Sequence, residues 1–146
     1  MKKSKGFTLI ELMVVIVILG ILAAVIAPRI PGFVNKAKEG RTKGNLGNIR
    51  SAMNIYYGDN DGIYPVTTDL SSMLVPKYLK EIPKAEMPPY HSASNSITGD
   101  TGASAITPSD TGGWIYNHEK TSRVWGDIIP NCNAHSDSSN TMWSSY

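Results

Sequence analysis

Lys5-Gly6-Phe7-Thr8-Leu9-Ile10-Glu11-Leu12-Met13-Val14-Val15 is the stretch on which the chain is organised. Lysines at positions 2, 3 and 5 meet an apolar run that continues from Phe7 to Ala27. In that run Glu11 is the one charged residue and Thr8 the one other polar side chain. As a helix rising about 1.5 Å per residue the run is about 31 Å long, enough to cross a bilayer, which takes about 20 apolar residues. The sequence therefore predicts entry into a membrane by the N-terminal segment. The flanking lysines predict that its leading end stays on the cytoplasmic side.

A secretory signal peptide has the same general plan, but its apolar core is about 7–15 residues. The small-residue cut available here, after Ala27, would put Pro28 just beyond the scissile bond. A plain single-pass anchor would have no use for Glu11. A carboxylate inside a membrane helix costs several kcal/mol and marks a functional position. It requires a cation, and the segment holds none. Cutting the peptide after Gly6 would create one: the α-amino group of Phe7, four residues and about one turn before Glu11. That amine can meet its own Glu11 or, better desolvated, a neighbour's, so that one subunit's carboxylate finds another subunit's terminus.

Gly6-Phe7-Thr8-Leu9-Ile10-Glu11-Leu12, between a lysine leader and an apolar run, resembles the class III signal of type IV pilins and type II secretion pseudopilins. The likeness is dense from Lys5 to about Pro31 and thin beyond. It implies that a prepilin peptidase cuts between Gly6 and Phe7 and methylates the new amine of Phe7. It implies that Glu11 recruits subunits through that amine, and that the retained helix forms the core of a helical homopolymer. It further implies an inner-membrane platform protein and an assembly ATPase as partners, with the bilayer holding the subunit before assembly. The subunit would be single-pass in the bacterial inner membrane, N-terminus cytoplasmic and C-terminal domain periplasmic, before joining a periplasmic or extracellular filament. Gly20 and Pro28, followed by Pro31, are the expected helix break. Glycine weakens a helix by about 1 kcal/mol relative to alanine and proline interrupts its hydrogen bonds. Either a simple kink or an unwinding of Gly20–Pro28 on assembly accounts for them.

Beyond the membrane segment, Leu46, Ile49, Met53 and Tyr56 recur at spacings of three and four, an amphipathic helical stripe. Lys36, Lys38, Arg41 and Lys43 with Glu39 are expected to form a solvated collar near the membrane. Asp59-Asn60-Asp61-Gly62 reads as a helix-ending turn, because the spacing of an EF-hand is absent. Thr68-Asp69 starts a short helix to about Val75, and Tyr78, Leu79 and Ile82 are expected to cover the long one. Ser92 to Gly113 reads as a long surface loop. Gly113–Asn117 and Ser122–Gly126 read as the two strands of a hairpin, and Asn131–Tyr146 as an exposed or mobile polar tail.

The fold class expected is α+β: a long helix, half membrane-spanning and half amphipathic, packed under a small domain with an antiparallel hairpin or small sheet. The divisions are 1–6, cleaved leader; 7–31, membrane and filament-core helix; 32–60, amphipathic helix; 61–130, globular domain; and 131–146, tail.

Net charge is +2, but without Lys2, Lys3 and Lys5 the balance is 11 basic to 12 acidic residues. No basic surface argues for nucleic acid, which would enter only if the filament served DNA uptake. Cys132 is the single cysteine, so no intramolecular disulfide forms. It lies three residues before His135, but no second cysteine pair completes a zinc site. His91, His118 and His135 lie in loop-like contexts and read as solvated. No nucleophile–base pair or acid pair stands out, so the chain does not read as an enzyme. The aromatics Phe33, Tyr56, Tyr57 and Tyr64 read as core in preference to an electron path. The resemblance to major pseudopilins implies a calcium site in the C-terminal loops, for which Asp100, Asp110 and Asp127 are the available oxygen donors.

The expected function is therefore structural: a major-pseudopilin-like or pilin-like subunit polymerising from the inner membrane for type II secretion. The alternative is a type IV pilus subunit for adhesion, motility or DNA uptake. A membrane-anchored enzyme or binding domain that never polymerises is the rival from another class. The lack of a cysteine pair and the Gly113-Trp114-Ile115-Tyr116 run favour secretion; an exposed polar tail would favour surface display.

Overall fold

The computed structural model describes residues 6–146, so the lysine leader lies outside the described residues. The chain divides after Val34 into two compact units. The fold is α+β, with a long N-terminal helical stretch and two small sheets in the second unit.

In the N-terminal unit, helix α1 runs Leu9–Ile26, a single 3-10 turn takes Ala27–Arg29, and helix α2 begins at Ile30 and runs to Asp59. None of the residues of α1 is buried within the chain. Apolar side chains cover it on every side, and the helical stretch starting at Leu9 is long and apolar enough to cross a membrane. The expected break is confined to one place. Pro28, which has no N–H, sits in the 3-10 turn, where the Ile30 N–H bonds the Ala27 carbonyl. Gly20 is held inside unbroken α1 and Pro31 in the opening turn of α2.

In the second unit the predicted stripe forms: Leu46, Ile49 and Met53 are buried and Tyr56 packs beside them. The helix stops where the sequence places the turn. Asp61 and Gly62 adopt positive φ angles of 52° and 79°, and the Gly62 N–H reaches back to the Tyr57 carbonyl at 3.0 Å, a helix-closing bond. Helix α3 (Leu70–Leu74) is capped by Asp69, whose side chain accepts from the Ser72 N–H. Leu70, Leu74 and Ile82 join the core, with Tyr78 and Leu79 packed on it.

Strands β1 (Ala85–Met87) and β2 (His91–Ser94) pair antiparallel. Strands β3 (Ile97–Asp100), β4 (Trp114–Asn117) and β5 (Ile128–Pro130) form a second sheet in that order. Within it β3 runs parallel to β4, pairing Ile97 with Trp114, and β5 runs antiparallel, pairing Trp114 with Pro130. All four residues of β4 are buried. Trp114 Nε1 donates to the Pro83 carbonyl at 2.7 Å and the Tyr116 hydroxyl to the Pro65 carbonyl at 2.6 Å, so both rings bury their apolar bodies and satisfy their polar ends.

Three sequence expectations change here. The partner of β4 is not Ser122–Gly126 but Ile128–Pro130. Gly126 takes φ 88°, and a Cβ there would stand 2.4 Å from the Tyr64 ring, so this residue closes a turn and cannot extend a strand. Trp125 accordingly stays half-buried beside Tyr64. The stretch 92–113 is not one long loop. It contains most of β2 and all of β3, because the Ser- and Thr-rich residues find backbone partners in the neighbouring strands.

The third change is the tail. Asn131, Cys132 and Trp143 are fully buried, and a 3-10 turn occupies Trp143–Ser145. Of the charged residues expected as a solvated collar Lys36 is exposed, but the others fasten this segment and β1. Glu39 accepts from the Ser138 backbone N–H and hydroxyl, and Lys43 pairs with Asp137. Arg41 and Lys38 both pair with Glu86. Buried Thr42 both accepts from the Glu86 N–H and lies 2.7 Å from its carbonyl. Burial disfavours charge on Asp137, yet Lys43, the Tyr146 hydroxyl and the Thr141 and Ser139 N–H groups hold its carboxyl well below the usual carboxylate range. Polar composition does not mean exposure where side chains such as Asn131 and Asp137 find partners within the fold.

Two substitutions test these assignments in urea melts of the full chain in detergent. Trp143→Ala is expected to destabilise the fold by about 3–5 kcal/mol, as for other buried tryptophans; a mobile tail would give no change. Gly126→Ala is expected to cost about 1–3 kcal/mol, the range for a side chain forced into a left-handed backbone conformation.

Candidate functional site

The candidate assembly stretch is the start of α1. Thr8 is extended and takes the cap position. Its hydroxyl accepts from the Glu11 N–H at 3.3 Å, while the Glu11 carboxylate reaches back to the Thr8 N–H at 2.8 Å and the Thr8 hydroxyl at 2.7 Å. This is a capping box, in which the threonine and the acid three residues later satisfy each other's unpaired donors. Both bonds from Thr8 fall on Oε2 of Glu11. The single carboxylate in the apolar run therefore has a local function, closing the open end of the helix, and its negative charge sits at the positive pole of the helix dipole. Phe7 and Gly6 precede the helix without regular structure, and Phe7 is 88% exposed. A peptidase requires an accessible backbone, and Gly6-Phe7 lie exposed ahead of the helix.

The three aspartates singled out as oxygen donors do different things. Asp100 organises its own loop, accepting from the Gly102 and Thr107 N–H groups and from the Asn117 side-chain amide. Asp127 contributes backbone bonds to the turn, its carbonyl accepting from the Asn117 N–H. Only Asp110 joins a cluster of possible metal ligands among the described residues, and its companions are His91, Cys132 and His135. The reading of His91 and His135 as solvated surface residues does not survive: each is partly buried and faces Asp110. His118 is partly buried as well, beside Gly99. Cys132 is fully buried, and burial together with neighbouring Asp110 pushes its thiol up to about 11. Burial works against the charge of Asp110, but the Cys132 thiol, the Ala134 N–H and His91 hold its carboxyl below the usual value. In sequence the only sign of this cluster is the Cys132–His135 spacing; His91, at the start of β2, and Asp110, in the β3–β4 connection, come from distant parts of the chain.

Comparison with known proteins agrees with the front of the chain. Residues 1–27 match the family model described as "Prokaryotic N-terminal methylation motif". The chain is 36% identical over 97 residues to the type II secretion system core protein G of Vibrio cholerae, an alignment covering 58% of this chain and 66% of that protein. It is 43% identical over 76 residues to the core protein G of Pseudomonas aeruginosa, covering 52% and 53%. The Escherichia coli protein of the same name is 38% identical over 73 residues, with half of each chain covered. The chain thus spans about half to two thirds of the length of the curated relatives it matches. No solved structure matches. With its methylation-motif segment at Met1–Ala27, its apolar helix and these relatives, the chain belongs to the family of type IV pilins and type II secretion pseudopilins.

Proposed function

We propose that this chain is a major-pseudopilin-like subunit that polymerises from the inner membrane into a helical filament for type II protein secretion. The observation that carries the reading is Glu11, a carboxylate on a helix that is otherwise apolar on every side and buries nothing within its own chain. Such a helix needs an apolar host. Lipid serves before assembly and the helices of neighbouring subunits afterwards.

In this reading a prepilin peptidase cuts after Gly6 and methylates the amine of Phe7. The cut leaves the capping box whole, since Thr8 and Glu11 both follow it. Oε2 of Glu11 continues to close the helix, and the second carboxylate oxygen receives the Phe7 ammonium of a neighbouring subunit. The helix terminus and the intersubunit pair thus share one carboxylate. A platform protein and an assembly ATPase drive stacking, with the second unit on the periplasmic side. The turn at Ala27–Arg29 is the weak point at which Gly20–Pro28 could open during assembly. The type II secretion relatives favour a periplasmic pseudopilus over a surface pilus, and a folded C-terminal segment anchored by buried Asn131, Cys132, Asp137 and Trp143 removes the argument from a displayed tail.

Glutamine at position 11 separates the two roles, because it retains the capping geometry but has no charge. Glu11→Gln is expected to insert and be processed normally yet assemble poorly. Leaving one partner of a buried ion pair alone costs about 3–5 kcal/mol at each subunit contact. Fractionation into membrane and sheared filament measures this. Filament yield equal to wild type in Glu11→Gln would remove the charge-pairing role.

A further inference from the structure

Among the described residues, one group of side chains gathers four possible metal ligands outside the assembly stretch. His91 opens β2, Asp110 lies in the connection from β3 to β4, and Cys132 and His135 follow β5. One ligand atom from each lies within 4.8 Å of all the others. His91 Nε2 is 3.3 Å from Asp110 Oδ1, His135 Nδ1 is 3.7 Å from the same oxygen, and Cys132 Sγ is 3.4 Å from the same His135 nitrogen. We propose that His91 Nε2, Asp110 Oδ1, Cys132 Sγ and His135 Nδ1 form a tetrahedral zinc site that ties the C-terminal segment to the sheet connections.

The geometry fits the ion. Zinc binds imidazole nitrogen and carboxylate oxygen at about 2.0–2.2 Å and thiolate sulfur at about 2.3 Å, so the edges of its tetrahedron are about 3.3–3.6 Å. The three distances fall within or just beyond that range. A hydrogen bond would explain the His91–Asp110 pair by itself. It does not explain why one carboxylate oxygen faces both imidazoles while the thiol faces the imidazole nitrogen already turned to that oxygen. Four donor atoms within 4.8 Å of one another are what coordination requires.

The donor set also selects the metal class. Two nitrogens and a sulfur suit zinc and are poor ligands for calcium, which takes six to eight oxygens. Four protein donors close the coordination shell, so the site is structural and not catalytic. Binding exchanges the thiol proton for the metal: the S–H bond breaks, the Zn–S bond forms, and the proton leaves to solvent.

The surroundings hold the donors in place, as outer-sphere partners do at metal sites. Fully buried Asn131, next to Cys132, accepts from the Ser109 N–H and donates to the Thr98 and Thr111 hydroxyls. It thereby fixes the loop that presents Asp110. The Asn133 N–H donates to Asp110 Oδ1 at 3.3 Å. The Tyr90 ring stacks on His135 with centroids 3.6 Å apart, and His91 lies against Gly112, where a Cβ would approach its ring to 3.4 Å. Each restrains an imidazole without taking its ligating nitrogen. In a chain with a single cysteine, a metal can cross-link distant segments where a disulfide cannot.

The test uses the full chain in detergent, stripped with a chelator and then titrated with Zn²⁺, Co²⁺ or Ca²⁺ alone. It reads the monomer, so its outcome is independent of filament assembly. Zinc is expected to bind at one ion per chain and raise the melting temperature by at least about 4 °C. Cobalt is expected to give the intense visible bands of a tetrahedral site together with a thiolate-to-metal charge-transfer band. That spectrum needs no variant to fold. Cys132→Ser is expected to lose the charge-transfer band, and His91→Gln to bind zinc at least about tenfold more weakly. The proposal is overturned by a weak octahedral cobalt spectrum in the wild-type chain. It is equally overturned by zinc stabilising Cys132→Ser and His91→Gln as much as wild type, or by stabilisation with calcium and none with zinc.

Discussion

Apolar surface has to be removed from water, and α1 offers no way to do so within its own chain. Its residues are all exposed and apolar on every side, Glu11 excepted. At about 25 cal/mol per Å² of buried apolar surface, the free energy available to a host that covers this helix exceeds what any single polar contact contributes. The need for a host shapes the rest of the segment. A carboxylate can be tolerated there only if its charge is answered, and the capping box with Thr8 is the local part of that answer. The same pair satisfies two of the open N–H groups at the helix start, those of Thr8 and Glu11, which would otherwise be costly in an apolar host.

The second unit solves the opposite problem. Its helix segment has a modest apolar stripe interrupted by glycines, and its polar residues do much of the fastening. Glu39, Thr42, Lys43 and Arg50 each reach a partner on β1, β5 or the C-terminal segment. Isolated surface ion pairs contribute little. These are partly buried and shared among several donors, so their main effect is to define where β1 and the C-terminal segment dock. Trp114, Trp143 and Tyr116 are the largest of the fully buried side chains.

The first residue of β2, the β3–β4 connection and the segment after β5 meet at His91, Asp110, Cys132 and His135. The buried Asn131 network makes this meeting point rigid. It is also the place where a folded C-terminal segment gains most from a cross-link, because it joins residues about 40 positions apart in the chain.

Much of this protein is written in consecutive residues. The apolar run, the placement of Glu11 four after Phe7, the helical stripe from Leu46 to Tyr56, the turn at Asp59–Gly62 and the short helix after Asp69 all depend on local spacing, and local spacing is what hydrophobic period, capping and turn chemistry respond to. The pairing of β4 with β5, the parallel β3–β4 contact, the docking of residues 131–146 and the gathering of two histidines, an aspartate and a cysteine were decided only in three dimensions. Each depends on partners far away in the chain. A serine-rich segment looks the same in sequence whether its hydroxyls and amides meet water or meet Glu39. A lone Cys132–His135 pair looks like surface until the strand connections bring His91 and Asp110 to it.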